Sequence, residues 1–142
     1  MAKIAPAASI IIVNRKGQAL VQLRDERPEG RYPNQVGLFG GGIEPGETPE
    51  QAIVREAAEE LGGYALKEFS YFGKFNEKGR DIYVYVKYDP DFTIESHEIT
   101  EGRGALFISG NELDRDDFIP ATKLILEEFF RALPELRNNW KP

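Results

Sequence analysis

Three glutamates near the middle of the chain have the residue type and the spacing to act together. At about 100° per residue, Glu56, Glu59 and Glu60 fall within roughly 100° of one face of a helix. Carboxylate oxygens are the ligands that hard divalent cations such as Mg²⁺ prefer, so this face could hold a metal ion. A solvated acidic surface is the more common reason for such a triplet, and spacing alone does not decide between the two.

The segment that carries these glutamates has clear helix start and stop signals. Thr48, Pro49 and Gln51 predict a capping box with Thr48 at the N-cap, and Gly62 and Gly63 predict the C-terminal end. Apolar side chains occupy the neighbouring arc and are expected to pack against a sheet; they are Ile53, Val54, Ala57, Ala58 and Leu61.

The remaining segments predict the sheet and a second helix. Apolar or alternating residues predict six strands, at residues 8–13, 18–24, 36–39, 65–75, 81–89 and 104–109, with a polar loop at residues 25–35. A second helix is predicted over residues 121–133, ended by Pro134, with an apolar stripe of Leu124, Ile125, Phe129 and Leu133. The expected fold class is α/β (α+β), with a mixed sheet covered by helices on both faces.

The composition excludes several classes of protein and site. A chain of 142 residues with 41% hydrophobic and 30% charged residues fits one globular domain spanning residues 1–142. With no cysteine, disulfide scaffolds, cysteine-ligated zinc and thiolate nucleophiles are excluded. His97 is the only histidine, which excludes a multi-histidine metal centre.

The charge and hydropathy patterns limit where the protein acts and on what. A net charge of −6 opposes binding to duplex DNA or RNA and to anionic membranes, although divalent cations could mediate contact with an anionic substrate. The longest apolar run, residues 10–13, is far too short to span a membrane, and the first residues have no signal-peptide pattern. We expect a cytoplasmic protein.

A longer pattern around the three glutamates resembles the signature of the Nudix hydrolases. Gly41 is followed after five residues by Glu47, then after seven by the pair Arg55 and Glu56. Glu59, Glu60 and Gly62 complete seven matching positions over 22 residues. The order of elements over nearly all of the chain is also similar to that family, which implies an α/β/α sandwich. Ala57 and Gly63 depart from the pattern, since the family usually has bulkier aliphatic residues there.

The resemblance implies roles for particular residues. Mg²⁺, with Mn²⁺ as an alternative, would be held by Glu56, Glu59 and Glu60 beside Gly41. Glu47 could pair with Arg55 and brace the loop, or it could simply favour the positive helix N-terminus. The catalytic set implied by the resemblance is Glu47, Arg55, Glu56, Glu59, Glu60 and Glu101, and the general base among these or other glutamates is left open.

Within the family, the MutT-type nucleotide pyrophosphohydrolases are the most similar in pattern. Arg24 stands where they place a phosphate-contacting arginine, although a strand-end surface cation is the alternative. Arg24, Gly40 and Gly41 are therefore the expected substrate-binding residues, and Glu101 is favoured over Glu95 and Glu98 as a further metal ligand or base. Two residues depart from that subgroup: Thr122 replaces a base-reading asparagine, and Phe39 replaces a proline.

The resemblance implies metal-dependent hydrolysis of a diphosphate linkage in a nucleoside diphosphate derivative. The first expectation is a nucleoside or deoxynucleoside triphosphate cleaved to the monophosphate and pyrophosphate. Nucleotide sugars and dinucleotide polyphosphates are alternative substrates, and a non-catalytic nucleotide sensor is an alternative from another class. The expected partner is a small nucleotide, and the chain could form a homodimer.

Overall fold

The computed structural model describes residues 4–24, 35–97 and 104–140. Within them the chain forms seven strands and two α-helices, together with short 3₁₀ turns at Ile94–Ser96 and Gly110–Glu112. The elements, in chain order, are β1 (Ala7–Val13), β2 (Ala19–Leu23), β3 (Val36–Gly37), β4 (Phe39–Gly42), α1 (Pro49–Glu60), β5 (Ser70–Glu77), β6 (Arg80–Tyr88), β7 (Gly104–Ile108) and α2 (Pro120–Arg137). Most of the predicted 25–35 loop lies outside the described residues.

The strands form one mixed sheet, as predicted. Its path runs β3-β2-β1-β6-β5, with β4 pairing to β1 and β7 pairing to β2. β1 and β6 are parallel from Ala7 opposite Ile82 to Val13 opposite Tyr88, and the other strand pairs are antiparallel. The central position of β1 explains its continuous apolar sequence, because both of its faces are covered.

Each face of the sheet packs against one helix. Ile10 and Ile12 of β1 lie in the core beneath α1, whereas Ile11 and Val13 lie in the core beneath α2. The alternation predicted for β6 is also present, with Tyr83 and Tyr85 on the α1 side and Val84 and Val86 on the α2 side. The α/β/α sandwich is therefore confirmed. No helix in the described parts of the chain has the length and apolar character needed to cross a membrane.

The ends of α1 follow the predicted capping chemistry. Thr48 Oγ1 accepts a hydrogen bond from the Gln51 backbone N–H at 3.1 Å, and Gln51 Oε1 accepts one from the Thr48 N–H at 2.9 Å. At the other end Gly62 and Gly63 have positive φ, and the Gly63 N–H donates to the Ala58 carbonyl at 2.8 Å. These caps fix where α1 begins and ends, and therefore where its glutamates lie relative to the sheet.

Helix α2 corrects two predictions. The helix does not end at Pro134 but continues to Arg137, and Leu124 of the predicted stripe is 50% exposed. Proline removes one backbone hydrogen bond without preventing helical φ. Residues after Pro134 hold the C-terminal end of α2 against the core. Trp140 stacks on Tyr88 there, with ring centroids 4.9 Å apart.

Two further predictions differ from the structure. Residues 65–69 are not part of β5, because Leu66 turns into the core beneath α1 and Glu68 has a φ of 51°, which a strand does not accommodate. Val54 is 39% exposed, whereas Ala52 and Glu60 are buried. The buried face of α1 is thus rotated toward Ala52 relative to the predicted stripe.

Candidate active site

The glycines of β4 bring its backbone against both β1 and α1. Gly40 has a φ of 147°, and a Cβ there would collide with the Ala8 carbonyl oxygen of the paired strand. A Cβ on Gly41 would lie 2.5 Å from Glu56 Oε1. The absence of side chains at these two positions therefore allows the Glu56 carboxylate to lie against the β4 backbone.

Arg55 connects the loop before α1 to the acidic face of the helix. Its Nε and Nη2 donate to the two carboxylate oxygens of Glu47 at 2.8 and 2.9 Å, and Nη2 also donates to the Gly42 carbonyl at 3.0 Å. Its Nη1 donates to Glu56 at 2.9 Å and lies 3.4 Å from Glu59. The predicted pairing of Glu47 with Arg55 is confirmed, and it is bidentate.

This ion pair changes the titration of both partners. The hydrogen bonds from Arg55 lower the pKa of Glu47 from 4.5 to about 2, with a further contribution from the Glu44 backbone N–H. The same pairing, with Glu56 and Glu44 adding to it, raises the pKa of Arg55. Both groups therefore keep their charges through the range in which most enzymes work.

Glu60 has a different environment from the other two glutamates of the helix. It is only 2% exposed, and its carboxylate accepts hydrogen bonds from the Gly40 N–H at 2.7 Å and from Gln22 Nε2 at 3.4 Å. The sequence analysis did not identify Gln22, although a lone polar residue within the apolar β2 was a usable signal. Glu60 thus fixes β4 to α1, while Glu56 and Glu59 lie on the side of Arg55.

The donor chemistry of this region fits a hard divalent cation. Glu56 and Glu59 supply carboxylate oxygens close to the side-chain-free backbone of Gly41. In the described residues, however, no three His, Asp or Glu side chains are grouped closely enough to hold a metal ion. Arg55 contacts two of the expected ligands, Glu56 and Glu59. Glu101, the further predicted ligand, lies outside the described residues.

A cavity of about 240 Å³ opens on the other side of β4. Gly40, Gly41 and Gly42 form one wall, and Arg24 reaches it from the end of β2, where Arg24 Nη1 lies 3.4 Å from Gln22 Oε1. The other lining residues include Glu77, Arg80 and Thr122 together with apolar side chains of β1, β6 and α2 and of the residues just before β4 and α2. The structure therefore brings the predicted substrate-binding residues Arg24, Gly40 and Gly41 to one cavity.

Three aromatic residues of β5 and β6 pack away from the cavity. Tyr85 is buried beneath α1, where its hydroxyl donates to Glu50 at 2.6 Å, and burial and this bond raise its pKa. Phe75 packs at the edge of the core beneath α2. None of Tyr83, Tyr85 and Phe75 lines the cavity, and all three pack in or against the core.

Comparison with known proteins identifies the family. A NUDIX domain model matches residues 3–129. The chain belongs to the Nudix hydrolase family.

Individual relatives match over most of this Nudix chain. The 8-oxo-dGTP diphosphatase of Escherichia coli K12 is 31% identical over 125 residues, covering 85% of this chain and 92% of the relative. The CTP pyrophosphohydrolase of the same strain is 32% identical over 124 residues, covering 83% and 86%. A solved MutT structure from Aliivibrio salmonicida or Vibrio cholerae superposes with a TM-score of 0.72 at 22% identity, covering 89% and 97%, which shows a shared fold.

Proposed function

We propose that this Nudix hydrolase cleaves a diphosphate linkage in a nucleoside or deoxynucleoside triphosphate and releases the monophosphate and pyrophosphate. One observation carries the proposal: the β4 glycines separate the acidic face of α1 from a cavity that contains Arg24 and Arg80. A nucleotide placed there would have its base in the cavity and its phosphates at the glycines, within reach of the carboxylates. Two relatives named for 8-oxo-dGTP and CTP support a triphosphate substrate.

The reaction requires one water and moves one proton. The water oxygen forms a bond to one phosphorus, the bridging oxygen leaves with the other phosphoryl group, and a carboxylate accepts the proton. Among the predicted carboxylates that the structure describes, Glu59 is the most exposed, at 57% of its side chain, and can meet bulk water. Arg24 would contact a phosphate, and the Glu47–Arg55 pair would keep α1 fixed against the loop.

The proposed cofactor is Mg²⁺, with Mn²⁺ as an alternative, and its predicted ligands are Glu56, Glu59 and Glu60 beside Gly41. These carboxylates do not form a closed three-ligand group in the described residues, so they would have to move closer together to hold the ion. When bound, it would supply positive charge that neutralises the diphosphate oxygens. Arg55 would hold Glu56 and Glu59 near one another, and Glu60 would keep the Gly40 backbone in place. Glu101 stays a predicted additional ligand or base. A single domain over residues 1–142, a homodimer and a cytoplasmic location also stay predictions.

A panel of nucleotides with Mg²⁺ tests this function. Nucleoside triphosphates, nucleotide sugars and dinucleotide polyphosphates would be incubated with the enzyme, and the phosphorylated products separated by ion exchange. Pyrophosphate with a nucleoside monophosphate is the expected pair, whereas a sugar phosphate or two nucleotides would assign another substrate class. Reaction in H₂¹⁸O would show which phosphorus is attacked. Binding without turnover of any substrate would identify a nucleotide sensor instead.

A substitution of Glu59 tests the catalytic assignment. Glu59→Gln keeps the shape and removes the charge, so we expect turnover to fall by about 100-fold or more. Because Glu59 is exposed, the free energy of unfolding should change by about 0.5 kcal/mol or less. Glu127→Gln, an exposed glutamate on α2, is the control and should leave both quantities unchanged. Unaltered turnover in Glu59→Gln would remove Glu59 from the site.

A further inference from the structure

A glutamate that lines the cavity, Glu77, has one carboxylate oxygen without a hydrogen-bond partner. Among the side-chain nitrogen and oxygen atoms of the described residues, Glu77 Oε1 is buried from solvent and makes no hydrogen bond. Leaving a carboxylate oxygen without a donor is costly, so such atoms usually mark a place where a ligand or water supplies one. Glu77 is the last residue of β5 and plays no part in the ion pairs around Arg55.

The surroundings of Glu77 resemble a base-binding pocket more than a phosphate site. Apolar side chains form much of the wall; they are Ala7, Leu38, Ile82, Ile119, Ala121 and Ile125. A flat apolar ring can lie against such walls. Glu77 repels a phosphate whereas the two arginines attract one, so the phosphates are favoured at the arginines and the base at the apolar wall beside Glu77. The cationic groups in the same cavity are Arg24, at the end of β2, and Arg80, whose Nε donates to the Ala5 carbonyl at 2.9 Å.

The polar groups of the cavity differ in what they can distinguish. A carboxylate only accepts hydrogen bonds, so Glu77 favours a donor on the ligand and repels a carbonyl oxygen. Arginine only donates, and the Thr122 hydroxyl can do either. Thr122 therefore does not by itself separate amino from carbonyl groups. Among the side chains that line this cavity, Glu77 is the acceptor that favours an amino group, whereas the arginines favour a carbonyl oxygen.

We propose that Glu77 is a specificity-determining residue that accepts a hydrogen bond from the exocyclic amino group of a nucleotide base. The preferred substrates are then nucleotides whose base carries such a group, over matched nucleotides that lack it. This inference rests on the proposed function, since it names a substrate class for the same site. It adds a discriminating residue from the β5–β6 hairpin, outside the segment that carries the catalytic glutamates.

The test compares two pairs of nucleotides that differ at the amino group. GTP and ITP differ only by the 2-amino group, and CTP carries an amino group where UTP carries a carbonyl. A hydrogen bond to a charged group favours a substrate that makes it by about 10-fold or more over one that does not. We therefore expect kcat/KM to be at least about 10-fold higher for the amino-bearing nucleotide of one or both pairs. Equal kcat/KM values within each pair would overturn the inference while leaving the hydrolase function intact.

Two variants connect the preference to Glu77. Glu77→Leu removes both acceptors at similar size, so the ratio should fall to about 1, and Glu77→Gln retains one acceptor and should give an intermediate ratio. Glu127→Leu, on the exposed side of α2, is the matched control and should keep the wild-type ratio. A preference that survives in Glu77→Leu would show that another group reads the base. If Glu77→Leu does not fold, a ratio in Glu77→Gln equal to that of the wild type would overturn the inference.

Two measurements without turnover separate recognition from a structural role. Calorimetric titration with GMP and IMP, and with CMP and UMP, should show the same preference in binding, and Glu77→Leu should abolish it. The Tm of Glu77→Leu should equal or exceed that of the wild type, because an unpartnered buried oxygen has been replaced by an apolar group. A clearly lower Tm together with unchanged binding ratios would make Glu77 a structural residue and overturn the inference.

Discussion

At the scale of single residues, the contacts of Arg55 account for the shape of the acidic site. Its guanidinium uses Nε and Nη2 for Glu47, Nη2 also for the Gly42 carbonyl, and Nη1 for the helix carboxylates. A lysine could not satisfy this set, because its ammonium is a single point rather than a planar fork. The pair with Glu47 was predictable because the two charges stand at a fixed spacing on either side of a well-capped helix start.

The Glu47–Arg55 pair makes a testable contribution to acid stability. Because the pKa of Glu47 is lowered from 4.5 to about 2 on folding, its stabilising effect is present above pH 4.5 and is lost as the pH falls toward 2. Urea unfolding from pH 7 to pH 2 should show wild type more stable than Glu47→Gln at pH 7, with the difference shrinking below pH 4.5. Glu44→Gln, whose exposed carboxylate lies 3.7 Å from Arg55, is the control and should show a small difference. A difference for Glu47→Gln that does not change with pH would contradict the assignment.

Glu60 shows that projecting residues onto a helix does not predict which of them are buried. The projection placed Glu60 with Glu56 and Glu59, yet its carboxylate is buried against Gly40 and Gln22. The angle between two side chains around the helix axis follows from their spacing in the sequence. Which face of the helix packs against the sheet does not follow from that spacing. A glutamate at the border of the apolar arc therefore becomes a buried acceptor only when a neighbouring strand supplies donors.

At the scale of elements, β4 is the strand whose lack of side chains matters most for the site. Gly41→Ala would push the Glu56 carboxylate from its place, since the new Cβ would lie 2.5 Å from Oε1. We expect turnover to fall by about 100-fold with a modest loss of stability, because a flexible side chain can move aside. Steady-state kinetics and urea unfolding measure the two effects. Gly73→Ala on β5, where the nearest atom is 3.4 Å away, is the control, and turnover in Gly41→Ala equal to this control would contradict the role of β4.

Helix α2 contains one buried and one exposed leucine, which allows the effect of burial to be compared with the apolar stripe predicted from the sequence. Leu126 is fully buried in the core beneath the helix, whereas Leu124 is 50% exposed. Leu126→Ala should lower the free energy of unfolding by about 2–5 kcal/mol, and Leu124→Ala by about 0.5 kcal/mol or less. Urea unfolding of the two variants measures both values. Similar losses in the two variants would mean that the helix is rotated relative to the described packing.

At the scale of the whole molecule, the sandwich was predictable where local signals agreed. The doubly buried β1, the alternating β6 and the capped α1 each carry their own evidence in the sequence. The predictions failed where packing overrides local preference: α2 continues past Pro134 because Trp140 packs on Tyr88, and residues 65–69 leave the strand because Leu66 fills the core. The cavity with Glu77 could not be predicted, because its walls come from strands and a helix distant in the chain.

Two tyrosine hydrogen bonds connect α1 and the turn after it to β6 and the residue that follows β6. We expect them to determine the pH above which the folded protein loses stability. Tyr85 donates to Glu50 at the start of α1 at 2.6 Å, and Tyr64, after α1, donates to Asp89 at 2.7 Å. Burial first, and these carboxylates second, raise the pKa of both tyrosines above 10. A raised pKa in the folded state means that the stabilising effect is complete below pH 10 and is lost as the pH rises above it. Each tyrosine should then make the free energy of unfolding decline as the pH rises above 10, and solvent screening should weaken the contribution of the partly exposed Tyr64.

Urea unfolding between pH 9 and pH 11 tests this dependence. The double variant Tyr64→Phe with Tyr85→Phe should lose the additional decline, because phenylalanine has no proton to release. Tyr88→Phe, at a tyrosine of β6 whose ring stacks on Trp140 on the α2 side, is the control and should decline as the wild type does. If the double variant declined as steeply as the wild type, alkaline unfolding would begin elsewhere, and the two bonds would not be what holds α1 to the sheet at high pH.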